Sequence, residues 1–179
     1  MRRTVTATLA AVGICGLVLT GCSRDSGHEV EAGPVTVSVP EEWVDPPSEA
    51  LTEMWTAGAD SSADGATARV RIAPELDSGP YATSALSEVS SRATFEGWYG
   101  GTFQQGTESD ITVSGADQAR EMEFEFTGAQ DGATYTGRYW AMADRSTGAT
   151  AIVKLTTNSD DGLSEDEIEQ IRESLSFDS

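Results

Sequence analysis

The sequence predicts a single α+β domain in which an antiparallel β-sheet is flanked by helices. Most of the chain alternates apolar and polar residues, which is typical of strands that bury one face. Two segments instead repeat apolar residues every three or four positions, which is typical of amphipathic helices. Short turn-rich segments between successive strands favour antiparallel pairing, and two amphipathic helices need sheet faces to cover.

The predicted domain spans residues 35–179 and begins with strands. Val35–Val39 alternates valine with polar residues and ends at a proline. Residues 51–57 are predicted as a second strand. A turn-forming cluster occupies residues 60–65, and the alternation over residues 67–72 then predicts a third strand.

A change of period predicts the first helix from Pro80 to Ala93. The residues that recur at helical spacing are Ala82, Ala85, Leu86, Val89 and Ala93. A glycine- and aromatic-rich loop follows at residues 95–103, and Ile111 and Val113 mark a further strand.

The strongest hairpin signal begins at residue 121. Three apolar residues alternate with three acidic ones, namely Met122, Phe124 and Phe126 with Glu121, Glu123 and Glu125. Asp131 and Gly132 form a turn pair, and residues 135–143 are the predicted return strand. Residues 150–156 (TAIVKLT) are apolar enough to form a central strand.

The last helix is predicted over residues 165–175. Ser164 and Glu167 have the spacing of a capping box, and Leu163 and Ile168 that of a hydrophobic staple. The apolar stripe of this helix is Ile168, Ile171 and Leu175.

The first 21 residues are identified as a lipoprotein signal peptide. Two arginines precede an apolar run that ends at Leu19 and is shorter than the roughly 20 residues that span a bilayer. Leu19, Thr20 and Gly21 before Cys22 resemble a bacterial lipobox, which implies cleavage before Cys22 and lipid on its thiol. We therefore expect a stable lipid anchor on the extracytoplasmic face of the bacterial cell membrane.

Residues 22–34 are interpreted as the lipidated cysteine and a flexible polar tether. The whole chain carries 11 basic and 30 acidic residues, a net charge of −19. This charge excludes nucleic acid as an expected partner and favours a domain that stands off anionic lipid. Lys154 is the only lysine, which fits a bias in base composition.

Histidine-dependent catalysis is not expected. His28 is the only histidine and lies in the predicted tether, so a serine or cysteine nucleophile has no oriented base. A zinc site built from cysteine and histidine is excluded for the same lack of ligands, and no cofactor is predicted. Carboxylate-only hydrolysis stays open, although Glu121, Glu123 and Glu125 are expected to face solvent.

Two segments partly match a calcium-binding loop. Residues 60–65 (DSSADG) fit its first half, but Arg71 stands at the twelfth position, where a glutamate is needed. The segment that starts at Asp110 reaches Glu121 at its twelfth position, yet it also alternates like a strand. Both are interpreted as turns, so no metal site is predicted.

Trp98 and Tyr99 are the candidate binding residues. They lie beside three glycines, and aromatic side chains on an accessible loop suit sugar stacking or a protein hot spot. The alternative is that the pair packs under the first helix. Trp43, Trp55 and Trp140 are expected in the core or on a sheet face.

Three segments resemble LpqN-type actinobacterial lipoproteins. Residues 37–43 (VSVPEEW) fit a V-x-V-P-x-x-W opening, residues 113–119 (VSGADQA) precede the long hairpin, and residues 174–177 (SLSF) close the last helix. The resemblance spans residues 35–177. It implies the PsbP-like fold, an antiparallel sheet between helices, in a family that carries no catalytic motif and whose members resemble binding or interaction modules.

The expected function is that of a non-enzymatic, lipid-anchored envelope protein whose domain binds a partner protein or an envelope ligand. Two alternatives stay open. One is a carrier for a hydrophobic or glycan ligand held between sheet and helix, and the other is a carboxylate-dependent hydrolase. A large apolar pocket favours the carrier, whereas a solid core favours the interaction module.

Overall fold

The computed structural model describes residues 27–52, 54–129 and 131–179. The predicted signal peptide and the lipobox residues Leu19, Thr20, Gly21 and Cys22 lie outside these residues. Over the described part of the chain, two antiparallel sheets and two helices form one α+β sandwich, as the sequence predicts.

The larger sheet has six strands in the order β3-β4-β8-β7-β6-β5, and every neighbouring pair is antiparallel. Its strands are β3 (Ala57–Asp60), β4 (Ala68–Ala73), β5 (Gln104–Ile111), β6 (Gln118–Thr127), β7 (Thr134–Ala143) and β8 (Thr150–Asn158). The apolar β8 lies between β4 and β7, so the prediction of a central strand at residues 150–156 is confirmed.

The smaller sheet has three strands in the order β1-β2-β9. They are β1 (His28–Ala32), β2 (Val35–Val39) and β9 (Ser176–Phe177). The helices are α1 (Ala82–Phe95) and α2 (Glu165–Glu173), with a short 3-10 turn at Ser48–Ala50.

Helix α1 packs on one face of the larger sheet, against β6, β7 and β8. Its buried side chains are those that the sequence predicts, Ala82, Ala85, Leu86, Val89 and Ala93. The sheet meets them with alternate residues of its inner strands, namely Met122, Phe124, Tyr139, Ala141 and Ile152.

The smaller sheet and α2 cover the opposite face. β2 contributes its three valines, and α2 contributes Ile168 and Ile171. The intervening residues of the larger sheet fill this second layer, among them Val70, Trp140, Met142, Val153 and Leu155. The helices therefore lie on opposite sides of a sheet whose strands bury both faces.

Two local predictions are confirmed in detail. β6 and β7 pair residue for residue from Gln118 opposite Ala143 to Thr127 opposite Thr134, which forms the predicted hairpin. In α2, Ser164 accepts a hydrogen bond from the Glu167 backbone N–H, and the Glu167 carboxylate accepts from the Ser164 backbone N–H. The capping box is therefore complete.

The tether prediction is wrong for residues 28–34. β1 pairs with β2 from His28 opposite Val39 to Ala32 opposite Val35. Gly33, at φ 54°, provides the positive φ that a two-residue hairpin turn requires. The sequence does not predict β1 because Val30 is its only buried residue and its exposed positions are acidic, so no alternation of apolar and polar residues is visible.

Two strand positions are also corrected. Of the strand predicted over residues 51–57, only Ala57 is in a strand; Leu51, Thr52 and residues 54–56 lie outside strands, and the Thr52 N–H donates to the Trp55 carbonyl at 3.0 Å. The strand follows as β3 instead. Likewise, the strand expected at Ile111 and Val113 is β5, which ends at Ile111. It is an exposed edge strand, so its sequence lacks alternation.

Candidate functional site

The face that carries α1 also carries a group of basic and aromatic side chains, which we call the Lys154 cluster. Its members are Trp55, Arg69, Arg71 and Lys154. The strand register places them together: Lys154 is paired with Arg71 on β4 and with Tyr139 on β7. Arg69 is two residues before Arg71 on the same strand and therefore shares its face.

Trp55 holds the lysine in place. The Lys154 Nζ lies 4.4 Å from the centroid of the Trp55 ring, within the range of a cation–π interaction. The indole is itself fixed, because it is only 6% exposed, stacks on Tyr139 at 6.4 Å and forms a T-shaped contact with Trp98 at 6.2 Å. The Trp55 ring therefore provides a fixed contact for the Lys154 ammonium group.

The charges of the cluster are only partly balanced. Arg71 Nη1 lies 2.6 Å from Asp60 Oδ1, and both residues are buried. Arg71 also donates to the Val70 carbonyl at 2.8 Å. Within residues 27–52, 54–129 and 131–179, no carboxylate oxygen lies within 4.0 Å of a side-chain nitrogen of Arg69 or Lys154. Two cations thus stand without a close carboxylate in a chain of net charge −19.

Burial, and to a smaller extent the positive charges of Arg71 and Arg69, lower the pKa of Lys154 to about 7. Both causes disfavour the ammonium form. The amine is therefore poised to gain a proton when a negative charge arrives beside it.

Tyr135 and Asp131 lie near Arg69. The Tyr135 hydroxyl donates to Asp131 Oδ2 at 2.7 Å. This bond raises the pKa of Tyr135, while the Ala133 backbone N–H and the Tyr135 hydroxyl lower the pKa of Asp131. The charge of Arg69 contributes to the lowering of the Asp131 pKa, so this carboxylate offsets part of the positive field of the cluster.

Of the two predicted binding residues, Tyr99 is in the core. Its side chain is 8% exposed, and its hydroxyl lies 2.7 Å from that of Tyr139. Phe103, Phe124 and Phe126 surround its ring. Of the two interpretations of this residue, packing against the core is the one that the structure supports.

Trp98 is half-buried and contacts the Lys154 cluster through its T-shaped pair with Trp55. Its indole N–H donates to Glu96 Oε2 at 2.9 Å. Trp43, Trp55 and Trp140 are buried, as predicted.

The acidic ladder of β6 is engaged in structural pairs at two of its three positions. Glu121 accepts a hydrogen bond from Trp140 Nε1 at 2.6 Å, and Glu123 pairs with Arg138 at 3.1 Å. Arg138 also reaches Glu165 of α2 at 3.3 Å. Glu125 is exposed, as expected for the whole ladder.

His28 is oriented, contrary to its assignment to a flexible tether. Its Nδ1 lies 3.0 Å from the Trp43 carbonyl, and its Nε2 lies 3.7 Å from Asp45. Both ring nitrogens thus face the segment that follows β2 and not a serine or cysteine side chain.

The two calcium-like segments have other roles. Asp60 is the ion-pair partner of Arg71, and Asp110 pairs with Arg120 at 3.0 Å within the β5–β6 ladder. Among the residues that the structure describes, no group of three or more His, Cys, Asp or Glu side chains is placed to hold a metal ion.

Two depressions on the surface are open and lined largely by polar groups. One, of about 410 Å³, is lined by Thr83, Asp110, Gln118 and Arg120. The other, of about 530 Å³, lies beside α1 and is lined by Glu75, Asp77, Glu88 and Arg92 together with Met54 and Leu76. Over the described ranges, neither helix is long and apolar enough to cross a membrane.

Lys154 was missed as a candidate from the sequence. Its signal was present, because a single lysine within an apolar central strand of a very acidic chain is unusual. A bias in base composition offered a simpler explanation for the presence of only one lysine among the basic residues. The position of Lys154 opposite Arg71 could be known only from the strand register.

Comparison with known proteins indicates the fold alone. No protein-family model and no curated protein matches the chain. A protein of Bacteroides thetaiotaomicron has a TM-score of 0.51 at 14% identity, with 86% of this chain and 49% of that chain covered. The chain therefore spans about half the length of that protein.

Two further solved structures are more distant. LpqN of Mycobacterium tuberculosis, a protein involved in cell envelope biogenesis, has a TM-score of 0.46 at 17% identity, with 88% of each chain covered. The Ran-binding protein Mog1p of Saccharomyces cerevisiae has a TM-score of 0.43 at 14% identity, with 81% of this chain and 82% of that chain covered.

Proposed function

We propose that the chain is a lipid-anchored protein of the bacterial cell envelope and that its domain is a non-catalytic binding module. The anchor is the lipid predicted on Cys22, and the binding surface is the α1 side of the larger sheet, where the Lys154 cluster lies. The partner is a protein or an exposed envelope ligand, recognised at the surface and not enclosed.

The observation that carries this proposal is the filled core. Side chains occupy both layers of the sandwich, with Trp140, Tyr139 and Phe177 fully buried. The two surface depressions described above are open to solvent and lined largely by polar groups. A carrier needs an enclosed apolar site that buries most of its ligand, so a solid core favours recognition at the surface.

The carboxylate pairs favour a binding role over the hydrolase alternative. Glu121 and Glu123 are held by Trp140 and Arg138. A general acid needs a carboxyl group free to reach the substrate, and a second carboxylate must face it across the scissile bond. Two members of the predicted ladder are instead committed to contacts within the protein.

Site-specific photo-cross-linking tests the proposed surface. A photoreactive residue replaces the exposed Thr56, which follows Trp55, in cells that export the protein. The matched control replaces Ser146, which is exposed in the turn between β7 and β8. We expect a discrete adduct from position 56 and none from position 146. Equal adducts at both positions, or none at position 56, contradict the proposal.

Native mass spectrometry of the same purified protein separates the module from the carrier. The module is expected at the mass of the lipidated chain alone. A lipid or glycan that remains bound in every molecule favours the carrier instead.

The anchor has its own test. Cys22→Ala is expected to leave an unacylated protein that no longer fractionates with membranes, whereas Cys15→Ala, inside the signal peptide, keeps the anchor. A fatty-acylated N-terminus that persists in Cys22→Ala contradicts the lipobox assignment.

A further inference from the structure

We propose that Lys154 and Arg69 form a binding site for a phosphate group, with Trp55 and Arg71 as the residues that position them. The inference rests on the proposed function, because the phosphate is the part of the ligand or partner that this surface recognises. It names a chemistry for the surface that the fold comparison does not provide.

The first argument is the charge imbalance. Of the three cations on this stretch of sheet, Arg71 has a buried carboxylate partner, Asp60, at 2.6 Å. Within the described ranges, neither Lys154 nor Arg69 has a carboxylate within 4.0 Å, although the chain contains 30 acidic residues. Like charges so close together repel each other, and an anion between them removes that repulsion.

The second argument is geometric preorganisation. Lys154 lies opposite Arg71 in the ladder, and Arg69 lies on the same face two residues away, so Lys154 and Arg69 are diagonal neighbours on adjacent strands. The Lys154 Nζ lies 4.4 Å from the centroid of the Trp55 ring, which fixes its position. The Asp60 ion pair holds Arg71, whereas Lys154 and Arg69 are each partly exposed.

The third argument concerns the kind of anion. Two separated donors, one an ammonium and one a planar guanidinium, suit a tetrahedral oxyanion that offers several acceptor oxygens. The net charge of −19 repels a ligand in proportion to its own charge, so a long polyanion is disfavoured. A single phosphate group gains the local attraction and avoids most of the long-range repulsion.

Calorimetric titration of the purified chain with inorganic phosphate tests the site. We expect saturable binding that weakens at least about tenfold in Lys154→Met and in Arg69→Gln, because each removes one charge-assisted contact. Lys154→Met keeps an unbranched side chain over Trp55, and thermal melting checks that each variant is folded. Arg145→Gln, a substitution of an exposed arginine in the turn between β7 and β8, is the matched control and is expected to bind as the parent does.

The source of the phosphate is distinguished by two further ligands. Tighter binding of glycerol 3-phosphate than of inorganic phosphate indicates a soluble phosphomonoester. Binding only to vesicles of neutral lipid doped with phosphatidic acid, and not to neutral vesicles, indicates a lipid headgroup. Acetate is the carboxylate comparison.

The inference is overturned if phosphate binds the parent and Lys154→Met equally, if acetate binds as tightly as phosphate, or if no ligand produces heat at tens of millimolar. Loss of phosphate binding while position 56 still cross-links to a partner overturns this inference alone and leaves the proposed function standing. Phosphate binding without any cross-link contradicts the proposed function instead.

Discussion

The hydroxyl oxygens of Tyr99 and Tyr139 lie 2.7 Å apart in the core beneath α1. Each is the partner that makes burial of the other tolerable, and burial raises the pKa of both phenols.

The two hydroxyl groups are expected to be energetically coupled. Tyr99→Phe leaves the Tyr139 hydroxyl buried without its partner, at a cost of roughly 1–3 kcal/mol in the free energy of unfolding. In Tyr99→Phe/Tyr139→Phe no unpaired hydroxyl remains, so the double variant loses less than the sum of the single losses. Urea unfolding of the four proteins measures the coupling. Strictly additive losses contradict the hydrogen bond.

Lys154 gives the stability a pH dependence of known sign. Its pKa is about 7 in the folded protein against 10.5 ordinarily, so between these values the unfolded chain binds more protons. The free energy of unfolding therefore rises as the pH increases through this window. Below the window, the full cost of keeping a charged Lys154 in the folded protein is present. Lys154→Met removes the penalty and is expected to gain on the order of 2 kcal/mol at pH 6, discounted for partial solvent access.

The gain in Lys154→Met is expected to shrink toward pH 10, since the parent amine is then neutral in the folded protein. Chemical unfolding at intervals from pH 6 to pH 10 measures it, with Arg145→Met as the control. A gain that stays constant across this range contradicts the proposed environment of Lys154.

Gly137 is predicted to resist substitution. A Cβ atom at this position would overlap the Phe124 ring, which stacks on Tyr139 at 4.5 Å. Gly137→Ala is expected to lower the free energy of unfolding by about 1–3 kcal/mol through overpacking. Adding Phe124→Leu should recover part of this loss, so a double variant less stable than either single variant contradicts the contact.

The capping box of α2 is predicted to contribute about 1 kcal/mol, measured as the loss in Ser164→Ala. Hydrogen bonds from Ser164 lower the pKa of Glu167, so this stabilisation is present at neutral pH and decreases as the pH falls through the folded pKa of Glu167. Ser159→Ala, at an exposed position before the helix, is the control and should change stability by less than about 0.5 kcal/mol. Equal effects of the two substitutions contradict the cap.

The elements predicted most accurately were those whose signal is local. The α2 cap depends on two residues that are three positions apart. In the β6–β7 hairpin, apolar and polar residues alternate along the chain, which is typical of a strand with one buried face. The positions of β1 and β5 were not predicted correctly, because each forms a strand through pairing with a neighbouring strand and not through an alternating pattern of its own. β1 forms on the edge of β2, and β5 is exposed at the edge of β6.

The candidate site was predicted only in part, for a related reason. The aromatic pair at residues 98 and 99 was correctly placed beside a glycine-rich loop, but whether each ring faces solvent depends on β6 and β7. The Lys154 cluster requires β4 and β8 to pair in one register, although their central residues are more than 80 positions apart in the chain. A shift of one residue would have put Lys154 and Arg71 on opposite faces.

The inclusion of β1 in the sheet changes the distance at which the domain can work. Only residues 23–27 connect Cys22 to His28, and five residues reach at most about 18 Å when fully extended. With a lipid on Cys22, the edge of the smaller sheet would lie within about 18 Å of the anchor, roughly two screening distances of about 8 Å in physiological salt. At that separation we expect an anionic leaflet to repel the most acidic surfaces of the domain and so to favour orientations in which they face away from the membrane.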